Sequence, residues 1–335
     1  MPVRGGARPT MRHVAQRAGV SLKTVSRVIN EEASVAPHTA ARVTEAIAEL
    51  GFRRNDLARS LRRGSTSATV GLVIEDLANP FYSAVAQAVE NVARPRGYML
   101  ITGSCEEDPE RERELILALL RRRVDALLLV PAGTERDQAW LANELGEETP
   151  VVFVDRPPHG IDADAVLVDN AGGARTAIEH LIAHGHRRIA CVADAPSLYT
   201  ASERVAGYRA ALAAAGIGHD DALLALGARD AAEAENAVAE LLALPDPPTA
   251  IFSGNNRITV GALRALRDRA TALVGFDDFE LADLLGTTVV RHEALEIGEE
   301  AARLAFARLD GLEGPPQRTV IATELVVRGS GEVAP

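Results

Sequence analysis

Hydrophobic positions near the N-terminus repeat with a helical period. Met11, Val14, Ala15 and Ala18 fall at i, i+3, i+4 and i+7, the spacing of one helix face. Thr10 can cap the start of this helix. Gly19 follows its last apolar position and tolerates the positive φ that stops a helix tightly. Val20 reads as a buried turn residue. Ser21 can cap a second helix with Val25, Val28 and Ile29 inward and Leu22, Lys23, Ser26 and Arg27 outward. A third helix follows, with Pro37 in its first turn and Val43, Ala46, Ile47 and Leu50 inward. Two short helices joined by a glycine turn predict a helix-turn-helix. In "FRRNDLARSLRRG" (52–64), Asn55 can cap a further short helix with Leu57, Ala58 and Leu61 along one side. That segment is too short to be a stable isolated helix, and "GSTSAT" after it reads as a flexible joint.

From residue 69 the pattern changes. The runs "TVGLVIED", "YMLITG", "VDALLLVP", "PVVFVD", "RIACVAD", "TAIFSG" and "ALVGFDD" read as buried strands. Helical patterns such as 82–93, 109–122, 171–184, 202–215, 230–243 and 256–269 lie between them. This alternation implies parallel sheets covered on both faces. The strands are too many for one comfortable sheet, so two lobes are expected with a ligand crevice between them. The predicted organisation is a small all-α helix-turn-helix head over 9–54, a hinge helix and linker over 55–67, and an α/β two-lobed effector domain over 68–331. Lobe one is expected at 68–163 and 293–319, and lobe two at 164–292 and 320–331. Three connections between the lobes would then form a hinge.

Ligand groups in such sheets sit just past strand C-termini. Those positions hold Asn79 to Tyr82 after the first strand, Asp155-Arg156, Asn255-Asn256 and Asp277-Asp278, while Thr200 to Arg204 start a helix after "RIACVAD". Carboxylates, amides, arginine and an aromatic pair suit a polyhydroxylated ligand, since charged groups fix hydroxyls and aromatic faces pack on a sugar ring.

Charge reshapes the picture at the other end. The chain carries −11 overall, yet residues 1–64 hold 12 Arg or Lys against 5 Asp or Glu, so the head is near +7 and the rest near −18. A basic head on an acidic body can release counterions from a polyanion through one end only. On the second helix, Arg27 and Lys23 suit base edges, Leu22 a thymine methyl, and Ser21 and Thr24 phosphates. Leu61 suits an apolar wedge in a minor groove.

Other classes are disfavoured. No run approaches 18 uncharged apolar residues, so no membrane span is expected, and the N-terminus lacks the apolar core of a secretory signal, which points to the cytoplasm. Cys105 and Cys191 stand in unrelated contexts and read as buried reduced thiols. "GVSLKT" has Leu22 where a phosphate loop needs glycine before the lysine, and "HEALE" lacks the second histidine of a zinc motif. His180, His184 and His186 read as caps and surface residues. No nucleophile, base and oxyanion donors assemble, so neither an enzyme, a cofactor nor a metal is expected.

The stretches "TMRHVAQRAGVSLKTVSRVIN" and "FRRNDLARSLRRG", with "ERVAGY", "VGFDDFELA" and "TELVVRGS", resemble the lactose-repressor family of bacterial transcription regulators over nearly the whole chain. The resemblance implies a head, a hinge helix and a two-lobed effector domain like the type I periplasmic binding proteins. It assigns Leu22, Lys23 and Arg27 as base readers, Ser21, Thr24 and Asn55 as phosphate contacts, and Ala58 and Leu61 as the minor-groove hinge pair. It places the effector against Phe81, Tyr82, Asp155, Arg156, Thr200, Arg204, Asn255 and Asp277. The chain departs from the family at Ala36, where Ser or Thr is usual, at Asn255-Asn256 for Asn-Asp, and at Arg229 for an aromatic residue. Two segments of the C-terminal lobe are also short. The expectation is a homodimeric repressor of double-stranded operator DNA controlled by a small molecule, a sugar or sugar derivative. A sugar-binding sensor or transport-type binding protein without sequence-specific DNA reading is the alternative, disfavoured by the basic head.

Overall fold

The computed structural model describes residues 9–29, 35–52, 67–133, 138–145, 149–267 and 269–335. The chain divides into two compact units, Met1–Ser67 and Ala68–Pro335.

In the first unit, helices α1 (Met11–Ala18), α2 (Leu22–Ile29) and α3 (Pro37–Leu50) enclose a small core. Val14, Val25 and Val43 are fully buried in it, and Met11, Val20, Val28, Ile29, Ile47 and Leu50 pack around them. Gly19 takes φ +62°, and Val20 N–H donates back to the Ala15 carbonyl at 3.0 Å, which ends α1 in one residue. Arg42 from α3 donates to the Ala18 carbonyl at 2.5 Å and locks the turn to the third helix. Ser21 caps α2 through its Oγ, which accepts from Thr24 N–H at 3.1 Å. Ala36 supplies no side-chain cap to α3, whose first turn is instead fixed by Pro37.

The second unit contains two six-stranded sheets. The first is built from β1 (Thr69–Ile74), β2 (Met99–Ser104), β3 (Ala126–Leu129), β4 (Val151–Asp155), β5 (Asp164–Val168) and β11 (Arg318–Ile321), in the order β2-β1-β3-β4-β5-β11. The second uses β6 (Ile189–Ala193), β7 (Leu224–Leu226), β8 (Ala250–Ser253), β9 (Ala272–Phe276), β10 (Thr288–Arg291) and β12 (Glu324–Val326), in the order β7-β6-β8-β9-β10-β12. All pairings are parallel except that of β10 with β12. Helices α4 (Pro80–Ala93), α5 (Pro109–Arg121), α6 (Ala139–Leu145) and α11 (Ala294–Leu309) belong with the first sheet. Helices α7 (Asn170–Ala183), α8 (Tyr199–Ala214), α9 (Ala231–Leu242) and α10 (Asn256–Ala265) belong with the second. The central strands are buried along their length because both sheet faces are covered, and β1, β3, β4 and β6 expose no residue, while β2, β7, β11 and β12 at the sheet edges are partly exposed.

The lobe boundaries differ from those read in the sequence. Residues 164–168 form β5 and pair with β4, so the first crossing falls at Asp169 and not at 164. Parallel neighbours usually need a helix between them, but here residues 156–163 suffice without one, and a helix–strand alternation cannot signal such a step. The last crossing falls at 322–323, since β11 runs to Ile321 beside β5. His186 is also fully buried, bonded to Thr249 Oγ1 and the Val333 carbonyl, and is not a surface residue. Cys105 and Cys191 are buried thiols pushed up to about 12 by burial.

Candidate functional site

Two surfaces carry chemistry. On the first unit, the N-terminal turn of α2 presents Ser21, Leu22 and Lys23 to solvent, with Leu22 44% exposed. Thr24 is half-buried, its hydroxyl 2.9 Å from Ser21 Oγ. Arg27 lies one turn further on and is half-buried. An exposed leucine beside a lysine at a helix N-terminus has no packing reason in this unit, whose core is already filled from the opposite face of α2. Asn55, Ala58 and Leu61 lie outside the described residues.

The second surface is a cavity of about 630 Å³ between the two lobes of the second unit. Phe81, Tyr82, Asp155, Arg156, Thr200, Arg204, Asn255 and Asp277 all line it. The sheets share one strand order, so β1 and β6 are equivalent, as are β4 and β9. Asp155 ends β4 and Asp277 follows β9. Both adopt a left-handed backbone, φ +66° and +67°, which costs a non-glycine residue about 1 kcal/mol or more and recurs at binding sites.

A cation neighbours each of these carboxylates, Arg204 beside Asp277 and Arg156 Nε at 3.9 Å from Asp155. Arg204 bonds Asn170 Oδ1 at 2.7 Å, the Gly254 carbonyl at 2.5 Å and both Asp277 oxygens at 3.3–3.4 Å, while its guanidinium lies 3.7 Å from the Phe276 ring centroid. His292 Nε2 stands 2.9 Å from Asp277 Oδ1. Burial opposes ionisation of Asp277, yet Arg204 and His292 outweigh it and hold the carboxyl below its usual range. Arg156 is gripped by both oxygens of Glu107 at 2.5 and 2.9 Å and by the Pro131 carbonyl at 2.8 Å. Asp155 accepts from Tyr82 Oη at 3.3 Å, and burial lifts its pKa despite the neighbouring Arg156.

Other groups at the cavity escaped the sequence reading: Glu75, Asp76, Glu107, Asp194, Arg257 and His292. Burial pushes Glu75 up to about 7 and Asp194 up to about 6. Across the cleft, Arg257 on α10 pairs with Asp76 beyond β1, and Asn256 Nδ2 donates to Asn79 Oδ1 at 3.1 Å.

Residues 67–279 match the family model for periplasmic binding proteins and the sugar binding domain of the LacI family. Residues 10–55 match the model for bacterial regulatory proteins of the lacI family. The chain belongs to the lacI family. It is a DNA-binding transcriptional regulator, and the match over its head removes the alternative of a transport-type binding protein. The ribose operon repressor of Escherichia coli K12 is 34% identical over 329 residues, covering 96% of this chain and 99% of that one. CelR of Thermobifida fusca is 35% identical over 340 residues, covering 97% and 98%. A solved CelR–cellobiose complex matches with a TM-score of 0.71 at 34% identity, over 96% of this chain and 100% of that one. The lac repressor dimer bound to operator and anti-inducer matches with a TM-score of 0.81 at 24% identity, over 97% and 99%, a likeness of fold.

In this lacI-family regulator, several of the overlooked cavity residues were within reach of the sequence. Glu75 and Asp194 directly follow β1 and β6, so the strand-end rule that selected Asp155 and Asp277 applies equally to them. His292 follows β10, a four-residue strand that was not among those read. Glu107 sits in a loop at φ +59° and reaches the cavity only through the fold. Arg229 lines the mouth, with its side chain 80% exposed and 3.5 Å from Glu233. No helix among the described residues is long and apolar enough to cross a membrane.

Proposed function

We propose that this regulator is a sugar-controlled repressor that reads a near-palindromic operator as a homodimer. One observation carries the reading. A helix-turn-helix unit with an exposed, polar second helix is joined in one chain to a two-lobed domain with a polar cavity between its sheets. Leu22, Lys23 and Arg27 read base edges, and Ser21, Thr24 and Asn55 hold phosphates. Ala58 and Leu61 form the minor-groove pair of a hinge helix within 55–67. The effector sits against Phe81, Tyr82, Asp155, Arg156, Thr200, Arg204, Asn255 and Asp277. Hydroxyls of a sugar are matched by buried carboxylate and arginine there, and its apolar face by Phe81. Relatives named for ribose and cellobiose support a sugar in this cavity.

Dimerisation is supported by apolar surface that no part of the described unit covers. Leu77 and Met99 on lobe one are 51% and 60% exposed and flank one groove. On lobe two, Leu281, Leu284 and Leu285 are 53%, 79% and 56% exposed within five residues. Large exposed leucines so closely spaced mark an interaction surface, and a second copy satisfies the two-fold symmetry of a palindromic site. Effector closure of the lobes then changes the spacing of the two heads, with a coupling of about 1–3 kcal/mol.

The test is selection of binding sites from random duplex DNA by the purified protein, with and without sugars. One near-palindromic site whose occupancy responds to a sugar is the expected result. Recovery of no preferred sequence under any condition would overturn the operator reading. A preferred site indifferent to every sugar would overturn the effector reading.

A further inference from the structure

The cavity has an imbalance of charge that points to one chemical class of effector. Four arginines line it, and each already faces a carboxylate: Arg156 with Glu107, Arg204 with Asp277, Arg257 with Asp76 and Arg229 with Glu233. Among the described residues, the three arginines inside the cavity are all paired in this way, and Arg229 stands at the mouth with its side chain 80% exposed. Three carboxylates remain without a cation of their own among the described residues: Asp155, which only approaches Arg156 Nε at 3.9 Å, and the pair Glu75 and Asp194. Glu75 has no side-chain hydrogen bond or ion pair among the described residues, and Asp194 has an amide, Asn255 Nδ2, as its hydrogen-bond donor.

These two are not an arbitrary pair. Glu75 follows β1 and Asp194 follows β6, the equivalent strands of the two sheets, so they stand on opposite lobes of one cavity. Each lies within electrostatic range of the other lobe, and the charge of Asp194 is felt at Glu75. A third group is independent of the carboxylates. His292 lines the same cavity with its side chain only 3% exposed, and its Nδ1 is buried without a hydrogen-bond partner. Nε2 is committed to Asp277, so Nδ1 is the ring nitrogen left for a ligand. The uncommitted carboxylates of the cavity are acceptors, and they outnumber its one buried, unpartnered donor among the described residues, Arg156 Nε. They call for a ligand rich in donors, and an ammonium group supplies three donors and no acceptor.

We propose that the effector is an amine-bearing sugar or polyol, its ammonium held between Glu75 of the first lobe and Asp194 of the second, and that acidic or phosphorylated sugars are rejected. This rests on the cavity being the sugar effector site. A cation between the two carboxylates replaces their mutual repulsion with attraction to both. The ammonium thus draws the lobes together, while hydroxyls elsewhere on the ring occupy the Asp155, Asp277 and His292 side of the cavity.

The experiment is isothermal titration calorimetry of the full chain at pH 7 against the 2-amino-2-deoxy forms of glucose, galactose and mannose, each beside its neutral parent and the 6-phosphate. At least one amine is expected to bind tenfold or more tightly than its parent, and the phosphates not at all. In Glu75→Gln, and separately in Asp194→Asn, that amine-to-parent ratio is expected to fall to threefold or less. A neutral parent or phosphate that binds as tightly as its amine overturns the inference and leaves the sugar reading intact, as does a ratio unaltered in both variants. Failure of the whole panel to bind overturns the inference, and the operator selection with other sugars then decides the sugar reading separately.

Discussion

Arg27 and Glu75 show how far one side chain can be followed. Arginine can donate two hydrogen bonds to guanine O6 and N7, a contact that supplies about 1–3 kcal/mol of discrimination. Arg27→Ala is therefore expected to weaken operator binding by about that much and to relax preference at one base pair. An unchanged selected sequence would remove Arg27 from the readers. Glu75 is a stability probe. In the folded chain burial raises it from the ordinary value of 4.5 to about 7. Folding therefore takes up a proton between those values, and stability falls as pH rises from 4.5 to 7. Glu75→Gln cannot ionise. It is expected to raise the stability at pH 8 by on the order of 1–3 kcal/mol, with the gain vanishing towards pH 4.5. Denaturant titrations at the two pH values measure it, and a gain that persists at low pH would mean the effect is not electrostatic. Glu75, the residue after the string "TVGLVI", was legible in the sequence as a strand-end acid. Its lack of a partner was not, because that depends on which arginines other loops bring in.

Helices in both lobes lie against one another through glycine. A Cβ added at Gly298 on α11 would meet the Val85 carbonyl of α4 at 2.4 Å and Ala88 Cβ at 2.7 Å. Gly261 on α10 and Gly207 on α8 make similarly close approaches to α9 and α7. Alanine would gain about 1 kcal/mol in helix propensity at an exposed site. Here it must push against backbone of a neighbouring helix, and overpacking costs about 1–3 kcal/mol. Gly298→Ala is expected to be destabilising by about 1–2 kcal/mol net, read as a lower midpoint in thermal or urea unfolding. A stabilised variant would show that α11 can slide freely on α4. Long apolar runs such as "VDALLLVP" announced their strands, and amphipathic segments announced the helices. The strands β5, β7, β10, β11 and β12 were not among those read; β7 and β12 have only three residues each, too few for a pattern to stand out. Those short strands close both sheets and carry the crossings, which is why the lobe boundary read at 164 was displaced to Asp169.

The cleft is latched in this structure by groups from both lobes. The Arg257–Asp76 ion pair is 28% exposed on each side and is joined by the Asn256–Asn79 hydrogen bond. A partly exposed pair of this kind contributes about 1 kcal/mol or less. That suffices to shift an open–closed balance by roughly fivefold. Arg257→Ala is expected to populate the open form, seen as a broadened, longer distance between spin labels placed on the two lobes. An unchanged distance distribution would assign closure to the sheets and crossings alone. The opposed charges of the two units act at longer range. The basic head favours DNA while the acidic body is repelled from it, so operator affinity should also fall steeply with salt.

Periodicity, glycine and proline placement and the segregation of charge are local properties, carried by neighbouring residues along the chain. They were enough to define the helix-turn-helix, the alternating strands and helices, and the strand-end residues Asp155, Asp277 and Asn255 and the helical Arg204 that line one cavity. Pairings between distant residues are not local. Arg156 with Glu107, Arg204 with Asp277 and Arg257 with Asp76 each join segments 49 to 181 residues apart, and only the folded sheets bring them within reach. Those pairings engage three of the cavity's four arginines and leave Glu75 and Asp194 without an ion pair among the described residues. The charge that an effector meets is thus a remainder left after folding, and a remainder of long-range pairing cannot be read from composition or spacing.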